Sequence, residues 1–352
     1  KKERDYGEKF NIEHLSVNML QKPEGYTLGD LKPSLNKLYL AEYDLIAISC
    51  FIWNEYLVNA LNTYLKKNGF TGKIALGGGQ ITYGNKSEIK EQYPGCDIFI
   101  FGNAEKALPE VISALFKGAD SFYNIPVDFT TLPSPYLSGD IPVTYEQRMV
   151  RMETKRGCPF GCTFCAHRDL INGKLYRLDL DRVFEELAFF KEMRVKKVNV
   201  LDPVFNIGNT YLPVMREIER LNFTNTVFSF QTRLESIEKP GGKEFLSLAE
   251  RINAHFEFGL QTVLPDEYTA VNRKNDHMVI NRQLEILKHR NVTYEISLIY
   301  GLPNQTPGSF RKSIEYVLDM GCSNVTAWPL MLLKGTRLYQ EKDKYGMREE
   351  VL

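Results

Sequence analysis

Hydrophobic and polar positions follow two periods that trade places along this chain. Short apolar runs of strand length precede stretches whose apolar residues recur every three to four positions, the pattern of an amphipathic helix. In the first third, Asp44 to Ile52 reads as a strand, Tyr56 to Lys67 as a helix and Lys73 to Gly79 as a strand ending in glycines. Asp97 to Gly102 follows as a strand and Lys106 to Phe116 as a helix. The nine-residue run Leu45 to Trp53 reads as a strand buried on both faces. Strands alternating with helices predict a parallel, doubly wound α/β sheet. Such sheets bind ligands at the carboxyl ends of their strands, which here carry Ser49, Gly77-Gly78-Gly79 and Gly102-Asn103-Ala104-Glu105.

Between Asp128 and Pro142 the chain places Pro133, Pro135, Gly139 and Pro142, a composition that predicts an extended linker. The expected organisation is a domain over 1–125, a linker over 126–148 and a second domain over 149–352. In the second domain the alternation resumes. Strands are expected at Val150–Thr154, Lys197–Leu201, Val227–Thr232, Phe256–Gln261, Tyr294–Ile299 and Asn324–Pro329. Helices fall between them at Leu180–Met193, Tyr211–Leu221, Lys243–Arg251, Val279–His289 and Phe310–Met320. Six successive βα units predict an open or partial (β/α)6 barrel, whose active site belongs at the carboxyl ends of the strands.

Bulk properties narrow the partners. Of 352 residues, 43% are hydrophobic and 25% charged, as in ordinary globular proteins. Lys plus Arg balances Asp plus Glu at 44 each, so no overall field favours nucleic acid or an anionic membrane. No apolar run approaches the roughly 20 residues of a membrane-spanning helix. No export signal is present at Lys1, and six cysteines in a chain this long do not form a disulfide framework, so a cytoplasmic setting is expected. Cys50, Cys96 and Cys322 sit in or beside apolar runs and read as small buried hydrophobes.

The other three cysteines carry the chemistry. Cys158, Cys162 and Cys165 lie in the run Arg156-Gly-Cys-Pro-Phe-Gly-Cys-Thr-Phe-Cys165, directly after the first strand of the barrel. Three thiolates on one loop can converge on a metal cluster and leave one corner without a protein ligand. Structural zinc usually wants four ligands, and no second Cys/His pair exists, although His167 offers a fourth.

The spacing Cys158-x3-Cys162-x2-Cys165, with Phe164 before the last cysteine, resembles the signature of the radical S-adenosylmethionine (SAM) superfamily. The resemblance implies that the cysteines hold a [4Fe-4S] cluster and that SAM chelates the fourth iron. It further implies reductive cleavage of SAM to a 5′-deoxyadenosyl radical, fed by an electron donor such as flavodoxin or ferredoxin. Phe164 would lie near the adenine, against the alternative of a core aromatic. Phe258-Gly-Leu-Gln-Thr262 with Arg273 twelve residues after Gln261 is similar to the oxygen-independent coproporphyrinogen oxidase branch. There the glutamine sits at the SAM ribose and the arginine at its carboxylate, a fork matched to a bidentate acceptor; a solvated helix charge is the bland alternative. Ser297 to Thr306 resembles the fifth-strand segment, with Ile299 and Gly301 packing by the adenine. Asp202, ending the second strand, either accepts from the methionyl ammonium or caps the following turn.

The first domain resembles the cobalamin-binding type. Leu76-Gly-Gly78, the stretch from Asp97 to Glu105, and Leu132 to Leu137 carry that likeness, which implies a Rossmann-like sheet with Ser49, Gly77, Gly78 and Glu105 near a corrinoid. No Asp-x-His-x-x-Gly motif is present, so no histidine is expected on the cobalt. The chain reads as beginning near the second strand of that domain, around Phe10 to Val17. The combined expectation is a cobalamin-dependent radical SAM enzyme, a partial TIM barrel behind a cobalamin-binding-type sheet. It would methylate an unactivated centre of a small molecule or peptide. Rearrangement or transfer of another SAM fragment, and a non-enzymatic metal-binding scaffold, are the rival readings.

Overall fold

The computed structural model describes residues 11–15, 22, 25–115, 118, 120–167 and 174–349. The chain divides into two compact units between Val127 and Asp128. The first is built on a parallel sheet of four strands in the order β1 (Leu45–Ser49), β2 (Lys73–Gly77), β3 (Ile98–Ile100) and β4 (Phe122–Tyr123). Helices Glu55–Lys67 and Ala104–Ala114 make two of the crossovers. The sheet centre is apolar throughout: Ile74, Ala75 and Leu76 of β2 and Ile98, Phe99 and Ile100 of β3 are all buried.

Strand β1 departs from the expectation. Ala47 and Ser49 are exposed, and Leu45, Ile46 and Ile48 are only half-buried. It is the edge of the sheet, and flanking helices cover a sheet's centre more fully than its margin. An apolar run therefore does not become two-faced burial here. Of the segment Phe10 to Val17, residues 11–15 form no regular element, and the rest lie outside the described residues.

The second unit contains six parallel strands in sequential order: β5 (Val150–Met152), β8 (Lys197–Val200), β9 (Val227–Thr232), β10 (Ala254–Gln261), β11 (Thr293–Tyr300) and β12 (Val325–Pro329). A small antiparallel ribbon, β6 (Lys155–Arg156) with β7 (Tyr176–Arg177), interrupts the alternation. The register runs without a closing pair between β5 and β12, so the barrel is open. Helices Leu180–Glu192, Tyr211–Leu221, Gly242–Ala249, His277–Lys288 and Pro307–Asp319 supply the crossovers.

Alternation along β10 explains how this sheet is held. Ala254, Phe256, Phe258 and Leu260 are buried, while His255, Glu257, Gly259 and Gln261 between them are half-buried. Phe256 meets Phe245 of the covering helix edge-on at 5.2 Å and stacks on Phe230 of β9 at 5.4 Å. Phe205 extends the column, 4.2 Å from Phe230. Each fully buried phenylalanine contributes about 1.5–3 kcal/mol of transfer free energy. The opposite face is left polar, and its upper end carries the site.

The proline-marked segment is not an extended spacer. Phe129–Thr131 form a 3-10 turn, Ser134 is buried, and the Tyr136 hydroxyl donates to the carbonyl of Arg151. Tyr136 also packs edge-on against Phe190 at 5.1 Å. Phe129 is buried and Tyr136 half-buried, whereas Leu137 and Ile141 stay exposed. No helix among the described residues is long and apolar enough to cross a membrane.

Candidate functional site

The cysteine loop is anchored at both ends before any ligand is considered. At its start, the Asp202 carboxylate accepts the backbone amides of Thr154 at 2.8 Å and Lys155 at 3.2 Å, and the Thr154 hydroxyl. Gly157 follows with φ +90°, and a Cβ there would lie 2.4 Å from the Lys174 carbonyl. Only glycine lets the ribbon close at that point. The loop then crosses to the turn after β10. Thr163 donates its amide to Val271 at 2.9 Å, and the Asn272 side chain donates to the Gly161 carbonyl at 2.8 Å. Leu338 donates to the Thr163 carbonyl at 2.9 Å, so the chain near residue 338 also holds the loop.

No disulfide engages Cys158, Cys162 or Cys165. Cys158 is buried beside Val204 and Ile207, and burial pushes its thiol pKa up. Cys162 and Cys165 are half-buried, and Cys165 accepts the His167 amide at 3.4 Å. Among the described residues no three His, Cys, Asp or Glu side chains gather tightly enough to hold one metal ion. A single ion needs every donor within bonding distance of one point, whereas a cubane puts each thiolate on a different iron and leaves the sulfurs apart. The donor set of three thiols and no carboxylate suits the cluster.

Arg273 meets this loop from the far side. Its guanidinium lies 3.9 Å from the Cys162 sulfur, donates to the Gly259 carbonyl and bonds Asn275 Oδ1 at 3.2 Å. It is buried, so it is not a solvated helix charge. Desolvation and the neighbouring Arg233 cation disfavour its charge. Asn275 in turn donates to the carbonyls of Leu260 at 3.1 Å and Thr262 at 2.8 Å. That clamp fits a break in the β10–β11 register between Gly259 and Gln261. Gln261 adopts φ +72°, and its Oε1 is buried with no hydrogen-bond partner. Asn275 was not foreseen, because an asparagine near a helix start usually caps it.

Ile299, near the end of β11, and Gly301, just beyond it, are bridged by Gln305, whose Oε1 accepts the Gly301 amide at 2.7 Å and whose Nε2 donates to the Ile299 carbonyl at 3.1 Å. Phe164 is half-buried on the cysteine loop. Asp202 has another occupation than an ammonium: it is fully buried, its oxygens serve Thr154 and Lys155, and the Lys155 ammonium stands 3.8 Å away. Burial drives its pKa upward. Sequence position put it at a strand end; only packing shows that it faces back under the loop.

In the first unit, Ser49 and Gly77 are register partners at the carboxyl ends of β1 and β2. Gly78 has φ +99°, and a Cβ there would meet the Cys50 carbonyl at 2.6 Å, so close approach of the two chains requires it. Glu105 lies in the first turn of the helix after β3. At the same edge Trp53, 55% exposed, stacks on Phe51 with ring centroids 4.7 Å apart. This pair escaped notice in the sequence, where both residues merged into the apolar run.

Comparison with known proteins fits this geometry. Residues 152–317, which include the cysteine loop, Gln261, Arg273 and Gly301, match the model of the radical SAM superfamily. The barrel unit is thus similar to the radical SAM superfamily across nearly half of the chain. The chain is 25% identical over 321 residues to the 2-(S-pantetheinyl)-carbapenam-3-carboxylate methyltransferase of Streptantibioticus cattleyicolor, covering 80% of this chain and 46% of that protein. It is 23% identical over 351 residues to the cobalamin-dependent radical SAM methyltransferase TokK of Streptomyces tokunonensis, covering 88% and 50%. The chain therefore spans about half the length of these curated relatives. Its fold matches that of the radical SAM methyltransferase TsrM from Kitasatospora setae, solved with cobalamin and a [4Fe-4S] cluster. The TM-score is 0.67 at 15% identity, over 91% of this chain and 68% of that one. The mixed α/β architecture with parallel sheets is thereby shared with a radical SAM enzyme.

The superfamily's cofactors are a [4Fe-4S] cluster and SAM. The residues present suit both: three cysteines outside any disulfide on an anchored loop, a buried guanidinium beside one of them, and a buried amide oxygen left without a donor. An unpartnered buried acceptor costs about 1–3 kcal/mol, which a ligand hydroxyl would recover.

Proposed function

We propose that this protein is a cobalamin-dependent radical SAM methyltransferase acting in the cytoplasm on a small molecule or peptide. The observation that carries the reading is the meeting of Arg273 with Cys162 beside the unsatisfied Gln261. In this reading Cys158, Cys162 and Cys165 hold the cluster, Arg273 turns its fork to the SAM carboxylate and Gln261 accepts from a ribose hydroxyl. Phe164, Ile299 and Gly301 enclose the adenine. When bound, the cluster and SAM supply a carbon radical that removes substrate hydrogen, and cobalamin supplies the methyl group. The polypeptide binds, orients and excludes water.

Cobalamin enters this reading through the names of TokK and TsrM and through the parallel sheet of the first unit. Ser49, Gly77, Gly78 and Glu105 stand at the edge where such a sheet binds ligands, and the exposed stack of Trp53 on Phe51 offers a flat apolar surface there. Methyl transfer is favoured over rearrangement because both curated relatives named above are methyltransferases.

Anaerobic reconstitution tests the whole reading. The expected product carries iron and inorganic sulfide, retains added cobalamin, and converts SAM to S-adenosylhomocysteine and 5′-deoxyadenosine with substrate. Variants with Cys158, Cys162 and Cys165 all replaced by alanine should keep their far-ultraviolet circular dichroism and lose the iron. Unchanged iron content in that variant overturns the assignment.

A further inference from the structure

One run of hydrogen bonds links Arg273 to Gly301, and a buried carboxylate that no SAM contact requires sits at its centre. Arg273 Nε donates to Asn275 Oδ1 at 3.2 Å, and Asn275 Nδ2 donates to the Thr262 carbonyl at 2.8 Å. The Thr262 hydroxyl donates to Glu267 Oε2 at 2.5 Å. The same oxygen accepts Gln305 Nε2 at 3.0 Å, and Gln305 Oε1 accepts the amides of Gly301 at 2.7 Å and Leu302 at 3.2 Å. Gln261 directly precedes Thr262 in the chain. Glu267 lies on the short helix Pro265–Ala270 and is 2% exposed. Its Oε1 is buried without a hydrogen-bond partner, and among the described residues no lysine or arginine pairs with it. For folding alone such a group is costly: the unpartnered acceptor loses about 1–3 kcal/mol, which an apolar side chain would avoid.

We propose that Glu267 is a positioning residue for SAM: without contacting the ligand, it fixes the spacing between the groups assigned to the SAM carboxylate and to the adenine. The inference rests on the SAM reading above and extends it to a residue outside the cysteine loop. Thr262 follows the end of β10 and Gly301 follows the end of β11, and the ladder between these strands slips between Gly259 and Gln261. Regular backbone pairing therefore does not set the distance between the two strand ends, and side chains must. Glu267 Oε2 does so by taking one donor from each arm, Thr262 on one side and Gln305 on the other. An ionised carboxylate holds such donors more firmly than a neutral acceptor. A ligand that reaches both arms then binds without first ordering them, which is the gain that preorganisation gives.

The test uses the anaerobically reconstituted chain and its variants Glu267→Leu and Glu267→Gln, with the cluster kept oxidised so that SAM stays intact. SAM affinity is read by equilibrium dialysis, folding by circular dichroism and cluster loading by iron content. Glu267→Leu should keep its circular dichroism and its iron while the dissociation constant for SAM rises about tenfold. Glu267→Gln retains an acceptor oxygen for both donors and should return that constant to within about twofold of the unmodified value. A role in the scaffold alone would leave SAM affinity unmoved. Unchanged affinity in Glu267→Leu overturns the proposal, and so does an equal loss in Glu267→Gln. Where Glu267→Leu does not fold, Thr262→Val takes its place: it removes only the donor, the same rise is expected, and unchanged affinity overturns the proposal. No SAM binding by the unmodified chain instead sinks the SAM reading, and this inference with it.

Discussion

The ammonium of Lys155 and the carboxylate of Asp202 face each other at 3.8 Å with almost no exposure, directly beneath the cysteine loop. Lys155 also donates to the carbonyls of Phe205 and, at 2.8 Å, Ile207. Desolvation lowers the lysine pKa to about 8 against the pull of Asp202. Asp202 meanwhile receives the amides that begin the loop, so one buried pair ties the loop to the ends of β5 and β8.

Removing one partner strands the other. Asp202→Ala should cost about 3–5 kcal/mol in chemical denaturation, because a buried ammonium loses its counter-charge. Lys155→Met combined with Asp202→Ala should restore part of that loss. Additive losses in the double variant would show that the two side chains do not act together.

Arg273 and Gln261 should separate in their effects. Arg273→Lys keeps the charge but loses the fork, so SAM affinity in equilibrium binding should fall about tenfold or more. Gln261→Ala should weaken SAM by less, about 0.5–1.5 kcal/mol, as expected for one neutral hydrogen bond. Equal binding by Arg273→Lys and the unmodified protein would remove Arg273 from the SAM carboxylate.

Glu257 supplies a pH dependence. Burial, and then the neighbouring Glu295, raise its pKa, with Ser297 and Gln231 bonding to it and His255 nearby. The folded state therefore holds this proton more tightly than the unfolded state. Its stabilising contribution is present below pH about 4.5 and is lost as pH rises through the raised folded value. Glu257→Gln should flatten that fall and raise the denaturation midpoint at neutral pH. A parallel pH profile in the variant counts against the assignment.

Gly157 should not tolerate a side chain. Gly157→Ala places a methyl against the Lys174 carbonyl in a left-handed backbone, a cost of about 1–3 kcal/mol. The variant should also retain less iron after reconstitution. Unchanged stability and iron content would mean that the ribbon at Lys155–Arg156 and Tyr176–Arg177 opens freely.

Much of the architecture was legible because it is written locally. The Tyr211–Leu221 helix and the Val227–Thr232 strand have the boundaries expected from periodicity, and all six barrel strands lie within a few residues of expectation. Local pattern misled where the answer depended on neighbours. The run Leu45 to Trp53 is apolar enough for two-faced burial, yet its strand occupies a sheet margin. The prolines of 128–142 signal a linker, yet Ser134 and Tyr136 pack on the barrel unit.

The amino-acid sequence by itself determined the alternation of strands and helices, the three-thiol loop and the residue types able to serve a cluster and SAM. These follow from spacing and composition, which act over a few residues. Only the tertiary structure decided which side chains are spent on the scaffold and which remain for a ligand. Asp202 follows the end of β8 and Arg273 lies twelve residues beyond the end of β10, and both are charged and buried. The first is consumed by Thr154 and Lys155, the second reaches Cys162. That difference arises from contacts between residues 48 and 111 positions apart, which no local pattern records.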